Sequence, residues 1–183
     1  LISACSLNFE EEDTILVGFS DITIQKKSQE ELYLQATMDE MTQILNKRTG
    51  LNLLEEKINK NEKFAVIFVD IDMLKHVNDT YGHQEGDSYI KSVVERIKEN
   101  LYPTDFLFRY GGDEIVIIIN SYDIGCTKRA ENIVAKINSL PQNEVKPYRM
   151  LVSYGIAEYD NINKETVEEL LARADSEMYI NKR

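Results

Sequence analysis

The chain is short of positive charge. Its 183 residues carry 21 Lys and Arg against 32 Asp and Glu, for a net charge of −11. A general nucleic-acid binder needs a basic face to meet phosphates, so that class is excluded. An anionic small substrate is not, because a metal ion can bridge acid to phosphate. Cysteine is nearly absent. Cys5 and Cys126 alone supply neither a disulfide framework nor a zinc site, and they read as reduced thiols of a cytosolic protein. Histidine is equally scarce, with His76 and His83 only, which again excludes a zinc cluster. No apolar run approaches membrane-spanning length, and the first residues lack a basic signal-peptide region. The expected location is the cytoplasm, with membrane anchoring of a longer protein left open. There is no internal repeat and no low-complexity tract.

What is present is ordinary for a globular protein: 43% hydrophobic and 29% charged residues. The length suits one good core plus an appendage. Residues 1–24 look β-rich, with "LISACSLNF" and "TILVGFSDI" split by "EEED" into a hairpin. Residues 25–38, beginning "QKKSQEELYLQAT", hold no Gly or Pro and read as a helical linker. The main domain is expected over 39–183. "NKRTGLNLLEEKINKN" is amphipathic, with Leu51, Leu54 and Ile58 on one face. "FAVIFVDID" is a near-continuous apolar strand ending in acids, and "SYIKSVVERIKENL" is a helix. "DFLFRY" and "EIVIIIN" flank "GGD" as a tight hairpin. A helix over 124–140, a strand in "RMLVSYGIAEY" and a closing helix in "ETVEELLARADSEMYINK" complete the order β-α-β-β-α-β-α. That order implies an α/β (α+β) sandwich of split βαβ, ferredoxin-like type, with a mainly antiparallel sheet and helices on one face.

Two acid clusters end core strands: Asp70 with Asp72, and Asp113 with Glu114. Asp70 and Asp72, two apart on a strand, share a face. If the hairpin lies beside the first strand, Asp70 and Asp113 converge. Converging carboxylates are what Mg²⁺ takes when it also holds phosphates, and two such ions can serve a phosphoryl transfer. Gly111 and Gly112 would form a two-residue turn at positive φ and leave the backbone open to a ligand. A plain hairpin with solvated acids is the bland alternative. A third cluster, "KHVNDTYGHQEGD", carries Lys75, Asn78, His83 and Asp87. Carboxylate and amide side chains suit a purine edge, and Lys75 suits a phosphate path. Singly, Asn78 reads as a turn residue, Asp87 as a helix cap for Ser88 onward, Lys75 as a solvated charge and His83 as a structural hydrogen-bonder.

Taken in order, "DEMTQILNKR", "DIDMLKHVNDTYGHQEGD", "RYGGDEIVI", "VSYGIAEY" and "ADSEMYINK" resemble the GGDEF family of diguanylate cyclases from Asp39 to Arg183. The resemblance implies a nucleotide-cyclase palm that converts two GTP to cyclic di-GMP and pyrophosphate, with Mg²⁺ or Mn²⁺, across a homodimer. It implies Asp70, Asp113 and the Ile71 carbonyl as metal ligands, and a place for Glu114 at a metal or the ribose. Asp113 would help deprotonate the ribose 3′-hydroxyl, as a base or through the metal. Asn78 and Asp87 would read guanine, with His83 in the same pocket. Lys75 and Lys182 would hold phosphates and steady developing charge, with backbone amides from Met73 through Leu74 to Lys75 as a cradle.

The chain also departs from the family. Ile115 and Leu74 stand where Phe is common. Many members carry an Arg-x-x-Asp inhibitory site before the glycines; here the window is "YPTD", with Asp105 present but Tyr102 in place of Arg. Weak or absent product inhibition is expected there. Residues 1–24, with "LVGFSDITIQKKSQEEL", resemble the end of a PAS sensor domain, which implies an upstream sensor in a longer protein. The alternative to an active cyclase is a degenerate GGDEF domain acting as a GTP-binding or allosteric signalling module.

Overall fold

The computed structural model describes residues 2–9, 12–120, 126–139, 148–159 and 164–182. It divides into two units, Leu1–Ala36 and Thr37–Arg183. In the first, β1 (Ile2–Phe9) and β2 (Glu12–Phe19) pair antiparallel, Ile2 opposite Phe19 and Phe9 opposite Glu12. Residues 10 and 11 lie outside the described residues, as do the side chains of Cys5 and Cys126. α1 (Thr23–Thr37) follows, its start marked by Asp21 Oδ1 accepting from the Thr23 amide at 2.9 Å. Leu32, Tyr33 and Leu34 are exposed on it.

In the second unit come α2 (Lys47–Asn59), β3 (Phe64–Ile71), α3 (Leu74–Tyr81), α4 (His83–Lys98), β4 (Phe106–Arg109), β5 (Glu114–Asn120), α5 (Cys126–Ser139), β6 (Val152–Tyr159) and α6 (Val167–Asn181). The sheet order is β4-β5-β3-β6 with every neighbouring pair antiparallel. Among the described residues no helix is long and apolar enough to cross a membrane.

Helices cover both faces of this sheet, which corrects the one-faced arrangement expected from element order. The cause is visible in β3 and β5, where every residue from Phe64 to Val69 and from Ile115 to Asn120 is buried. A strand that is apolar on both sides has two faces to hide. Ile67, Val69 and Ile71 join Ile115, Ile117 and Ile119 in a core with Val77 of α3, Val93 and Val94 of α4 and Val134 of α5. The alternate residues Val66, Phe68, Val116 and Ile118 form a second core with Leu54 of α2 and Leu170 and Ala174 of α6.

Two local readings also change. The element order expected from the sequence has no helix at "LKHVNDTY". That segment folds as a helix, α3, that hides only Leu74 and Val77. α4 begins at His83 behind Gly82, so Asp87 is inside the helix and not its cap.

At the β4-facing end of the sheet a buried polar network replaces apolar packing. Asp105, whose side chain is 0% exposed, receives Arg129 of α5 through both carboxylate oxygens and the Asn120 amide at 3.2 Å. Asn120 in turn accepts from Lys57 Nζ at 2.6 Å. Removing one partner of a buried pair strands the other charge. Asp105→Ala should therefore cost roughly 3 kcal/mol or more of stability, read by urea unfolding; a loss below about 1 kcal/mol would show the pair to be incidental.

Candidate active site

The register of β3 builds the site. Asp70 sits opposite Glu114 on β5 and opposite Ser153 on β6. One step beyond, the Ile71 amide donates to the Asp113 carbonyl at 3.1 Å, so the ladder runs into the glycine turn. α6 ends over the same spot, where Lys182 Nζ donates to Asp70 Oδ1 at 2.6 Å. Asp70, Ile71, Asp113, Glu114 and Lys182 are thus brought together.

The carboxylates crowd one another. Burial pushes the Asp70 carboxyl up, Lys182 opposes this, and Asp113 and Asp72 push it further. Burial likewise raises Glu114, with Asp113, Asp70 and Asp175 adding to it against Lys47. Burial works against the Lys182 ammonium, but Asp70, Asp72 and Asp113 hold it above its usual range. The cation present at Asp70 is the Lys182 ammonium. Among the described residues no three His, Cys, Asp or Glu side chains gather as a metal cluster. The expected donor set is two carboxylates and a main-chain oxygen, and its unbalanced charge fits a hard divalent ion.

The glycine turn differs from expectation. Four residues, Tyr110 to Asp113, separate β4 from β5, and the Tyr110 and Gly111 amides both donate to the Glu114 carbonyl at 2.9 and 3.2 Å. Neither Gly111 nor Gly112 has a positive φ; the one described glycine that does is Gly82, at 89°. A Cβ on Gly111 would meet the tip of the Glu114 carboxylate and shift it, whereas Gly112 faces open space. Arg109 fixes the turn, donating from Nε to the Gly111 carbonyl at 3.0 Å and from Nη2 to the Gly112 carbonyl at 2.7 Å. Its Nη1 reaches Asp39 at 3.2 and 3.3 Å. Asp39 also accepts from the Thr42 amide at 2.9 Å and hydroxyl at 2.6 Å.

Beside the acids, Asp72 leaves the strand and takes a hydrogen bond from Ser153 Oγ at 2.7 Å. Met73 follows in the left-handed region, φ 61°, and no side chain caps α3 behind it. The first amides of that helix therefore have no side-chain acceptor on the cap. Leu74 is buried, while Met73 and Lys75 are exposed. α3 and α4 meet closely at Asn78: a Cβ on Gly86 would collide with its amide group. Asn78 thus lies against Gly86, the residue before Asp87, and Asp87 and His83 are exposed on α4. Tyr102 and Asp105 are elsewhere, at the far end of β5, where Arg129 stacks on the Tyr102 ring at 3.9 Å. Sequence reading missed Asp39, Arg109 and Ser153, because their partners are backbone carbonyls or residues 70 and 81 positions away. The "RY" before the glycines was the available signal.

A family model for the diguanylate cyclase GGDEF domain matches residues 36–183. The bifunctional diguanylate cyclase/cyclic di-GMP phosphodiesterase MucR of Pseudomonas aeruginosa is 35% identical over 158 residues, 84% of this chain and 23% of that protein. Diguanylate cyclase DgcM of Escherichia coli is 29% identical over 169 residues, 87% of this chain and 39% of its own length. The chain spans less than half of either relative. The crystal structure of the coiled coil and GGDEF domain of DgcB from Caulobacter crescentus, in complex with c-di-GMP, superposes with a TM-score of 0.74 at 26% identity, covering 88% of each chain.

Two outcomes follow from the geometry. Burial alone would raise the Asp39 carboxyl, but Thr42 and Arg109 hold it below the usual range. Its stabilisation is therefore present above about pH 4 and lost as pH falls through the lowered value. Asp39→Asn should cost about 1–3 kcal/mol near neutrality and flatten the acid limb of stability, measured by urea unfolding against pH. Gly86→Ala should displace Asn78 and weaken binding of a purine nucleotide about tenfold by titration calorimetry, with helix content unchanged; unaltered affinity would remove Asn78 from the pocket.

Proposed function

Because the chain belongs to the GGDEF family of diguanylate cyclases, we propose that it condenses two GTP into cyclic di-GMP with release of pyrophosphate, each of two copies holding one GTP. The observation that carries this reading is the strand register that sets Asp70 against Glu114 and ties Ile71 to Asp113, two residues along the chain before the uncapped start of α3. Helix starts with bare amides suit phosphate, and acids that repel one another suit a divalent ion.

In the proposed reaction the 3′-oxygen of one GTP attacks the α-phosphorus of the other. The bond to the bridging oxygen breaks and pyrophosphate leaves with its electron pair. The 3′-proton passes toward Asp113, and a second, equivalent step closes the ring. A divalent cation, Mg²⁺ or Mn²⁺, held by Asp70, Asp113 and the Ile71 carbonyl, would supply acidity to the hydroxyl and charge balance to the phosphates. Glu114 stands beside that donor set. Lys182, already at Asp70, and Lys75 on α3 supply positive charge to the phosphate path. The amides from Met73 through Leu74 to Lys75 orient it. Asn78, Asp87 and His83, on α3 and the first turns of α4, are taken as the guanine site. Asp87 would accept the N–H donors of guanine that adenine lacks.

Ile115 is 1% exposed in the core, so its replacement of Phe is a packing change and does not favour a degenerate domain. The inhibitory window is read as closed. Asp105 is committed to Arg129, and Arg129 to Tyr102, which leaves no carboxylate for a product molecule. β1, β2 and α1 are read as the tail of a PAS-like sensor and the stalk that biases the geometry of two catalytic domains.

Incubation with GTP and Mg²⁺ across protein concentration tests the whole reading. Product should form at a rate rising faster than linearly with enzyme, and no product at any concentration would defeat it. Asp113→Ala should lower turnover by at least about a hundredfold with the fold retained; near-normal turnover would reject its role. Asp87→Ala should cut the preference for GTP over ATP in kcat/KM by about tenfold or more, and an unchanged ratio would move guanine recognition elsewhere.

A further inference from the structure

Tyr89 lies on α4, two residues past Asp87, and is 0% exposed. Its ring packs in the α3–α4–α5 core and against Tyr148 at 5.3 Å. The hydroxyl goes further than packing requires. It stands 3.0 Å from the Asp72 carbonyl and 3.0 Å from the Leu151 carbonyl, and it accepts from the Leu151 amide at 2.9 Å. One phenol oxygen therefore joins the exit of β3 to the approach of β6, with both its donor and its acceptor capacity used.

The segment it holds is strained. Met73, next in chain, has φ 61°, a region that disfavours residues with a Cβ and persists only where the surroundings over-determine it. Several bonds converge on Asp72 from outside. Its amide donates to the Leu151 carbonyl at 3.0 Å, its carboxylate takes Ser153 Oγ at 2.7 Å, and its carbonyl takes Tyr89. Tyr89 is the one of these that anchors the turn to the helix carrying Asp87. The amides that follow, at Leu74 and Lys75, are those assigned to the triphosphate.

We infer that Tyr89 is a positioning residue that fixes the Asp72–Leu74 turn for the triphosphate, and so acts on phosphate binding without touching the nucleotide. The inference rests on the proposed nucleotide site. It predicts an effect graded by phosphate. Tyr89→Phe keeps the ring and deletes the hydroxyl, and Ser153→Ala loosens the same turn from outside the core. Equilibrium binding of GTP and of guanosine is measured with Mg²⁺ for the unaltered chain and both variants, alongside thermal melting. The expected result is a five- to tenfold loss of GTP affinity in Tyr89→Phe, a loss in the same direction in Ser153→Ala, and guanosine affinity within about twofold throughout. Equal loss of GTP and guanosine, or no change in either, overturns the inference and leaves Tyr89 a packing residue. If Tyr89→Phe does not fold, Ser153→Ala decides by the same ratio. Absence of GTP binding by the unaltered chain would instead defeat the proposed function, so the two failures are distinct.

Discussion

Everything at the site depends on the register between β3 and β5. That pairing sets Val69 against Ile115 and Asp70 against Glu114. It is held by apolar residues buried on both sheet faces, where a one-residue slip would send each side chain into the wrong core. The register therefore cannot drift, and the acids at its end cannot move apart. Hydrophobic packing over the length of two strands is what keeps Asp70 and Glu114 in register.

The consequences propagate outward. Burial and the neighbouring Asp113 and Asp72 raise the proton affinity of Asp70, and Lys182 donates to it. The glycine turn that carries Asp113 is braced by Arg109, whose other end grips Asp39, shortly after the end of α1. The opening of the domain is thereby tied to the turn through a single guanidinium. On the other side, Tyr89 and Ser153 brace the turn that starts α3. Both flanks of the acidic sheet end are irregular backbone fixed by side chains from remote elements.

Much of this was legible in the letters. The apolar runs of β3 and β5 and the acids beside them stood out from local pattern, and the family resemblance ordered them and added the closing lysine. The two-sided burial was also legible in principle, since "FAVIF" and "IVIII" lack alternation; counting elements led instead to a one-sided sheet. α3 escaped because a short helix packed by two residues carries little periodicity. The glycines were assigned a positive φ that neither Gly111 nor Gly112 has. Asp39–Arg109 and Tyr89–Asp72 escaped because they are contacts between distant segments, in one case to a carbonyl, and neither leaves a local signal. Asp105 was seen as half of a surface site, while its burial against Arg129 depends on where α5 lands.

The central claim is that Asp70 and Asp113 jointly hold a divalent cation beside a triphosphate. Crystals grown with Mn²⁺ and a non-hydrolysable GTP analogue test it directly through anomalous scattering. The account predicts a manganese peak in direct contact with both carboxylates and a phosphate oxygen. A nucleotide bound with its metal touching neither Asp70 nor Asp113 would contradict it.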